Sequence, residues 1–431
     1  MWSLQAVRCN NVVFHQISEA TLINRVLIEK TQKFIKFYAR IKVDMRTHWG
    51  FKEIDAAASN VLVHGSQQWL RTFGYSGVPL FIGKAQGPYV WDTQGSKLVD
   101  FYLGSGAIIL GHCDPQQTQA VYETMLSMPT VSLRSPLEVE VAMLLQELIP
   151  LAERTVFFKT GSECAHMAVR VAQKLTGRMG VLSVGYHGWL PPFSQVDNRS
   201  ALGTTLTEFS VVNDQIVMEL CEHGKEIAAV IVSPSPYTTT KPELLKLRAS
   251  CAENGCLFIM DEIKTGFRWK YPSVSSVYAI DPDLLLLAKG MSNGFPIAAM
   301  VGPECILGGS FDLCHFSTFA GESVSLSAAR ACLLSLAAGA YQDFESASSL
   351  FRDCLEKSLE GTRIAVDGDA TFFRLNLPDT IKSSQLAGAF ARHGILFHPE
   401  DEVLLSAAHN DSNLINQCAN AFRESINEVI G

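Results

Sequence analysis

A lysine at the end of a wholly apolar run is the residue in this chain best placed to do chemistry. Lys289 follows Leu284-Leu285-Leu286-Leu287-Ala288 and opens the loop Gly290-Met291-Ser292-Asn293-Gly294-Phe295-Pro296. An ammonium at the mouth of a buried strand is costly unless it has a role. Burial lowers its pKa and frees the amine to attack a carbonyl. Upstream, another apolar run, Leu257-Phe258-Ile259-Met260, ends in Asp261. Earlier still, Val156-Phe157-Phe158 leads into Thr160-Gly161-Ser162-Glu163. Thr160 and Glu163 have capping-box spacing. The unpaired N–H groups of such a helix start, with the helix dipole, make an anion site, and Gly161 lets the backbone come close. Singly, each has an ordinary reading: a solvent lysine, a turn aspartate, a helix cap. In this order they are what a pyridoxal 5'-phosphate (PLP) site needs. Lys289 would form the Schiff base, and Asp261 would hold the pyridine nitrogen protonated.

The elements that must position these residues follow from the pattern around them. Apolar runs at 155–158, 179–184, 227–232, 256–260, 284–288 and 297–301 read as strands. Helical stretches at 163–175 and 242–253 lie between them, the second with Pro242 at a plausible first turn. This alternation predicts an α/β fold, a mostly parallel sheet flanked by helices, with ligands at the carboxyl ends of the strands. Before about residue 110 the pattern changes. Tyr89 to Asp100 reads as two strands joined at Gly95. The tail mixes helices with short strands at 371–375 and 402–405. The expected division is an N-terminal helical extension over 1–50 and a large PLP-binding domain over 110–335. A smaller α+β domain would be assembled from 51–109 and 336–431, leaving the cleft between domains as the site. In the extension, Ile23, Leu27, Phe34, Phe37 and Ile41 share one face of a helix.

Composition excludes several classes. The 431 residues are 47% hydrophobic and only 18% charged, which suits a large folded unit and not a disordered chain. A net charge of −8 argues against a nucleic-acid partner. No apolar stretch approaches a transmembrane length, so no membrane partner is expected. The eleven cysteines form no C-x-x-C pair, which excludes a zinc framework and points to a reducing, cytoplasmic setting.

The ordered motifs together resemble the class III aminotransferases, among fold-type I PLP enzymes, and most closely their glutamate-1-semialdehyde aminomutase branch. The resemblance runs from Arg71 to near the C-terminus. It rests on Trp91-Asp92-Thr93-Gln94-Gly95 with Asp100, Gly111-His112, Thr160-Gly161-Ser162-Glu163, Thr176-Gly177-Arg178 and Tyr186-His187-Gly188. It continues through Asp261-Glu262-Ile263-Lys264-Thr265-Gly266-Phe267-Arg268, Lys289, Asn293-Gly294-Phe295-Pro296 and Ser317-Thr318-Phe319. What it implies is a PLP enzyme in which Lys289 also shuttles the substrate proton and Asp261 pairs the pyridinium. Thr160, Gly161 and Ser162 would hold the phosphate. Ile263 and Tyr186 would cover opposite ring faces, although Tyr186 could equally be a core tyrosine. Thr318 would reach the phosphate of a neighbouring subunit's cofactor, which implies a homodimer. Arg71 matches the substrate-carboxylate arginine of the aminomutase branch, against the plainer reading of a surface arginine.

Departures from the family pattern cluster on the substrate side. Ser233 stands where a glutamate is usual, Trp189 where the mutase has a histidine, and Glu322 where Asn-Pro is frequent. Gly104-Ser105-Gly106-Ala107 lacks the mutase tryptophan. In the cup itself, Thr160 and Cys164 replace a serine and an alanine. The expectation is therefore an aminotransferase moving nitrogen from a small-molecule amine donor to a carbonyl acceptor. The runner-up is a glutamate-semialdehyde-type 2,1-aminomutase, and the outsider a non-catalytic protein of the same fold.

Overall fold

Eleven strands in two sheets carry the framework of the computed structural model, which describes Gln32 and residues 50–66, 74–75, 78–193, 203–308, 317–378 and 381–430. The helix expected in the extension and Arg71 lie outside the described residues. Strands β1 (Ile82–Gln86), β2 (Tyr89–Asp92) and β3 (Lys97–Asp100) come first, with Gly95 at φ 89° in the turn between β2 and β3. The main sheet follows: β4 (Arg154–Phe158), β5 (Gly180–Val184), β6 (Thr205–Phe209), β7 (Ile227–Val232), β8 (Leu257–Asp261), β9 (Leu284–Leu287) and β10 (Ala298–Gly302). Its spatial order is β4-β10-β9-β8-β7-β5-β6. All its strands run parallel except β10, which is antiparallel to both neighbours. Every residue of β7 and β9 is buried. That is why these strands read as unbroken apolar runs, not alternating ones.

Helices α1 (Phe51–Val61), α2 (Pro115–Ser127), α3 (Pro136–Leu148), α4 (Gly161–Thr176), α5 (Asp214–His223) and α6 (Lys241–Asn254) start on identifiable signals. Thr160 and Thr240 form capping boxes with Glu163 and Glu243, and Gly177 and Gly255 stop their helices in the left-handed region. Two further helices, α7 (Ser323–Ser335) and α8 (Tyr341–Ser358), run on through a wider turn with Gly339 at φ 126°. The combined span of 36 residues is long and apolar enough to cross a membrane by length and composition, which the sequence reading did not anticipate. Half of its apolar window is buried in the protein, and α7 packs on α2 and α3 as a core helix.

A hairpin of β11 (Ala365–Asp369) and β12 (Phe372–Asn376) leads to α9 (Ser383–Arg392), β13 (Ile395–Leu396) and α10 (Ser412–Ile430). Strand β13 lies parallel to β3 and completes a four-stranded sheet, β13-β3-β2-β1. The two chain ends thus share a sheet and an aromatic core. Phe101 lies 4.8 Å from Phe351 and 5.2 Å from Phe422 between ring centres, and Phe390 lies 4.6 Å from Phe422. All four are buried, each contributing about 2–3 kcal/mol of apolar transfer. The strand expected at 402–405 is absent; only Val403 bridges, to Phe373. Asn293 ties the parts together. Its Oδ1 accepts from Ile109 N (2.8 Å) and Leu110 N (2.9 Å), while its Nδ2 donates to Gly111 O and Gln117 Oε1.

Candidate active site

Strands β8 and β9 lie side by side in parallel with Asp261 opposite Leu286, so Asp261 and Lys289 lie at the carboxyl ends of neighbouring strands. Asp261 is 2% exposed and both carboxylate oxygens are held. His187 Nδ1 donates to Oδ2 at 2.7 Å, and Ile263 N donates to Oδ1 at 3.1 Å. The His187 side chain is wholly buried, and its Nε2 has no partner among the described residues. Glu262, next in sequence, turns away to cap the short helix Val274–Tyr278, accepting from Ser275 N at 2.8 Å. Burial raises its pKa to about 7 against those backbone donors.

Lys289 opens a 3₁₀ turn at φ 49°, a left-handed conformation rare for a side-chain-bearing residue. Protein groups surround it, although the residue keeps a sliver of access. Burial lowers its pKa to about 8, helped by the Lys264 ammonium and opposed by Asp261 and Glu402. Lys264 is ion-paired to Glu402. Arg268 is fully buried. Its guanidinium donates to Leu405 O at 2.8 Å and Ile108 O at 2.6 Å, stapling the loop after β8 to both chain ends.

The cup is tightly built. Thr160 spends its hydroxyl and its N–H within the capping box with Glu163. The N–H groups of Gly161 and Ser162 have no acceptor among the described residues. A methyl on Gly161 would meet Ile263 Cδ1 at 2.7 Å, and one on Gly188, at φ 98°, would overlap Ser162. Trp189 N donates to Ser162 Oγ at 3.4 Å, docking the Tyr186-His187-Gly188-Trp189 loop on the helix start. Free N–H groups, a glycine cradle under Ile263, a held carboxylate and a buried amine fit a phosphorylated pyridine aldehyde.

Towards solvent the picture changes. Tyr186 is 77% exposed and Trp189 69%, and Thr318 and Phe319 are also exposed. The departures noted in the sequence resolve locally. Cys164 is buried, and burial with Asp261 and Glu163 nearby holds its thiol pKa well above the usual range, so it packs as a neutral small residue. Ser233 N donates to Val184 O at 2.8 Å, and the Ser233 side chain lies against Gly185. Glu322 caps α7 through Val324 N and Ser325 N and accepts from Lys159 Nζ at 2.8 Å. Three residues of the site went unassigned in the sequence reading: His187, Arg268 and Glu402. A histidine paired to an acid 74 positions away leaves no local signal. Arg268 and Glu402 become interesting only once the loops they join are placed.

Residues 73–409 match the family model described as aminotransferase class III. A 2'-deamino-2'-hydroxyneamine transaminase from Streptomyces kanamyceticus is 31% identical over 359 residues, covering 80% of this chain and 91% of its own length. A glutamate-1-semialdehyde 2,1-aminomutase from Chloroflexus aurantiacus is 30% identical over 343 residues, covering 72% and 77%. Among solved structures, an omega-transaminase from Sphaerobacter thermophilus superposes with a TM-score of 0.79 at 22% identity, over 89% of this chain and 98% of that one. A glutamate-1-semialdehyde aminomutase from Pseudomonas aeruginosa PAO1 gives 0.77 at 20% identity, over 88% and 94%. At those identities the structures show a shared fold.

Proposed function

The chain belongs to the class III aminotransferase family, and from that membership and the site we propose the residue roles in a PLP-dependent aminotransfer between a small-molecule amine and a carbonyl acceptor. The observation that carries the assignment is the buried Asp261–His187 pair beside Lys289 on adjacent strand ends. When bound, PLP supplies the aldehyde that takes up the donor's nitrogen and the ring that withdraws electrons from the carbon losing its proton.

The chain supplies the rest. Lys289 Nζ is the covalent attachment point and the base that moves the proton at the substrate carbon. With its pKa near 8, a useful fraction is free amine close to neutrality. Asp261, fixed at both oxygens, presents its charge to the pyridine nitrogen without reorganising. Gly161 and Ser162 offer N–H groups at the start of α4 to the phosphate, while Thr160 shapes that start as its cap. Ile263 covers one ring face and Tyr186 the other. Arg71 is retained as the partner of a substrate carboxylate. Thr318 reaches the cofactor of a second subunit. A homodimer is supported by Tyr122, Leu126, Leu133, Val139 and Met143, which leave an apolar surface along α2 and α3 open to solvent. The nine described cysteines are free, which supports a cytoplasmic setting.

For the acceptor we favour a ring-type carbonyl, because no bulky side chain stands in the Gly104–Ala107 segment and an aromatic, Trp189, lies exposed beside the cup. The aminomutase reading uses the same residues and predicts product without any added donor. The test is the visible absorption of the PLP-loaded protein against a panel of amino donors. A donor that bleaches the band, which an acceptor then restores, supports two half-reactions. Turnover of an amino aldehyde with no donor present would move the assignment to the mutase.

A further inference from the structure

We infer that the Lys159–Glu322 ion pair is a positioning element for the phosphate cup: it fastens the Ser317–Gly321 turn and the start of α7 to the cup's edge, and the grip on a phosphate depends on it. The inference rests on the cofactor reading above. Lys159 is the last residue before the cup, one position past β4, where Phe158 pairs with Ala298 of β10. Its backbone N–H donates to Glu163 Oε2 at 3.1 Å, the same oxygen that takes the N–H of Thr160 at 2.8 Å. The backbone that leads into Gly161 and Ser162 is therefore tied to Lys159. The lysine's side chain reaches two other segments. Nζ donates to Pro296 O at 3.0 Å, in the loop that Lys289 opens, and to Glu322 Oε1 at 2.8 Å. Only 17% and 13% of the two side chains are exposed, so water screens the pair incompletely.

Glu322 is fixed independently. Its carboxylate accepts from Val324 N at 2.7 Å and Ser325 N at 3.0 Å, and its own N–H donates to Phe319 O at 3.3 Å, closing the turn. Against α3 the turn has no slack: a methyl on Gly321 would meet Glu138 Oε1 at 2.6 Å. One ammonium thus joins three segments far apart in sequence: the edge of the cup, Pro296 and the start of α7. A lysine beside an anion site has a simpler reading, as a cation for the phosphate itself. The contacts argue against it. Nζ already has a carboxylate and a carbonyl, and the carboxylate neutralises its charge. The two readings differ in sign. If the pair positions the cup, removing either member loosens the phosphate. If Lys159 served the phosphate directly, neutralising Glu322 would free the cation and tighten binding.

The experiment titrates the full-length chain, freed of PLP, with PLP and with pyridoxal, which lacks the phosphate, following the visible absorption band. Lys159→Met and Glu322→Gln should each weaken PLP about tenfold and leave pyridoxal unmoved. Glu322→Gln keeps an acceptor for the start of α7, so the test survives a poorly folded Lys159→Met. The double variant should bind PLP no more weakly than the worse single one, since the same bond is lost in each. Lys159→Arg keeps the charge and should restore most of the affinity. Tighter PLP binding by Glu322→Gln would overturn the inference in favour of a direct phosphate cation. Additive losses would overturn it, as would equal losses of PLP and pyridoxal, which point to general loosening. Borohydride fixation of the PLP-loaded parent keeps this inference apart from the site assignment. Cofactor fixed on Lys289 with unmoved PLP affinities defeats this inference alone; cofactor fixed on another lysine defeats the site assignment with it.

Discussion

On the cofactor side, Asp261 and His187 are buried and bonded to each other, and a methyl added to Gly161 or Gly188 would collide with Ile263 or Ser162. On the rim, a few residues away, Tyr186, Trp189, Thr318 and Phe319 stand in solvent, and Lys264 and Glu402 hold each other but no backbone. The same loops build both regions. The Tyr186–Trp189 loop buries its histidine and exposes its two aromatics, and the loop after Asp261 buries Ile263's neighbours while leaving Lys264 partly wet. The contrast teaches how one fold serves many reactions. Asp261, His187 and the Gly161 cradle are locked by packing, while the residues at the rim are left adjustable.

Substitutions at four positions probe that contrast, in falling order of effect. Lys289→Ala should cut turnover at least about 10³-fold, since it removes both the attachment point and the base; a steady-state assay on a folded variant checks it, and retained activity would sink the mechanism. The same lysine carries a stability signature. Its folded pKa, about 8, lies below its unfolded value, so the unfolded chain binds more protons between the two. The buried ammonium is thus a cost in full below about pH 8, relieved as pH rises through that window to the ordinary lysine value. Lys289→Met should melt higher than the PLP-free parent near pH 7 by up to about 3 kcal/mol, with the advantage shrinking in alkaline buffer.

Asp261→Asn should lower turnover about 10²–10³-fold, because the amide cannot balance a pyridinium charge; single-turnover rates with saturating donor would show whether the loss lies in the chemical step. His187→Phe should cost about 1–3 kcal/mol, the desolvation of a carboxylate oxygen left without its donor, and should loosen PLP. Denaturant titration and cofactor release measure the two effects. Smallest of all, Trp189→Ala should leave the PLP band intact and raise KM for the acceptor less than about tenfold. Loss of the cofactor on truncating Trp189 would erase the distinction between floor and rim.

The same distinction governs what could be read from the sequence. Lys289 and Asp261 were legible because each ends an apolar run with a charge, and fully buried strands write themselves as such runs. The cup was legible because Thr160 and Glu163 carry a local capping signal. His187 was not, since its meaning lies in a partner contributed by another strand. Strand β6 escaped notice because Thr205–Phe209 sits at the sheet edge, half-exposed and mixed in polarity. The segment at 402–405 looked like a strand because Val403, Leu404 and Leu405 are buried, but they pack as a loop whose carbonyl serves Arg268. Long-range closure of this kind has no periodicity to reveal it.

That closure also imposes an order on the making of the protein. The main sheet and Lys289 are all synthesised before Gly302, so the reactive floor can assemble while the chain is still growing. The wall opposite cannot. β13 must pair with β3, Leu405 must receive Arg268, and Glu402 must meet Lys264, and all three arrive in the final stretch. A chain stopped short of that stretch would carry the amine and its acid without the strand, carbonyl and carboxylate that close the loops around them.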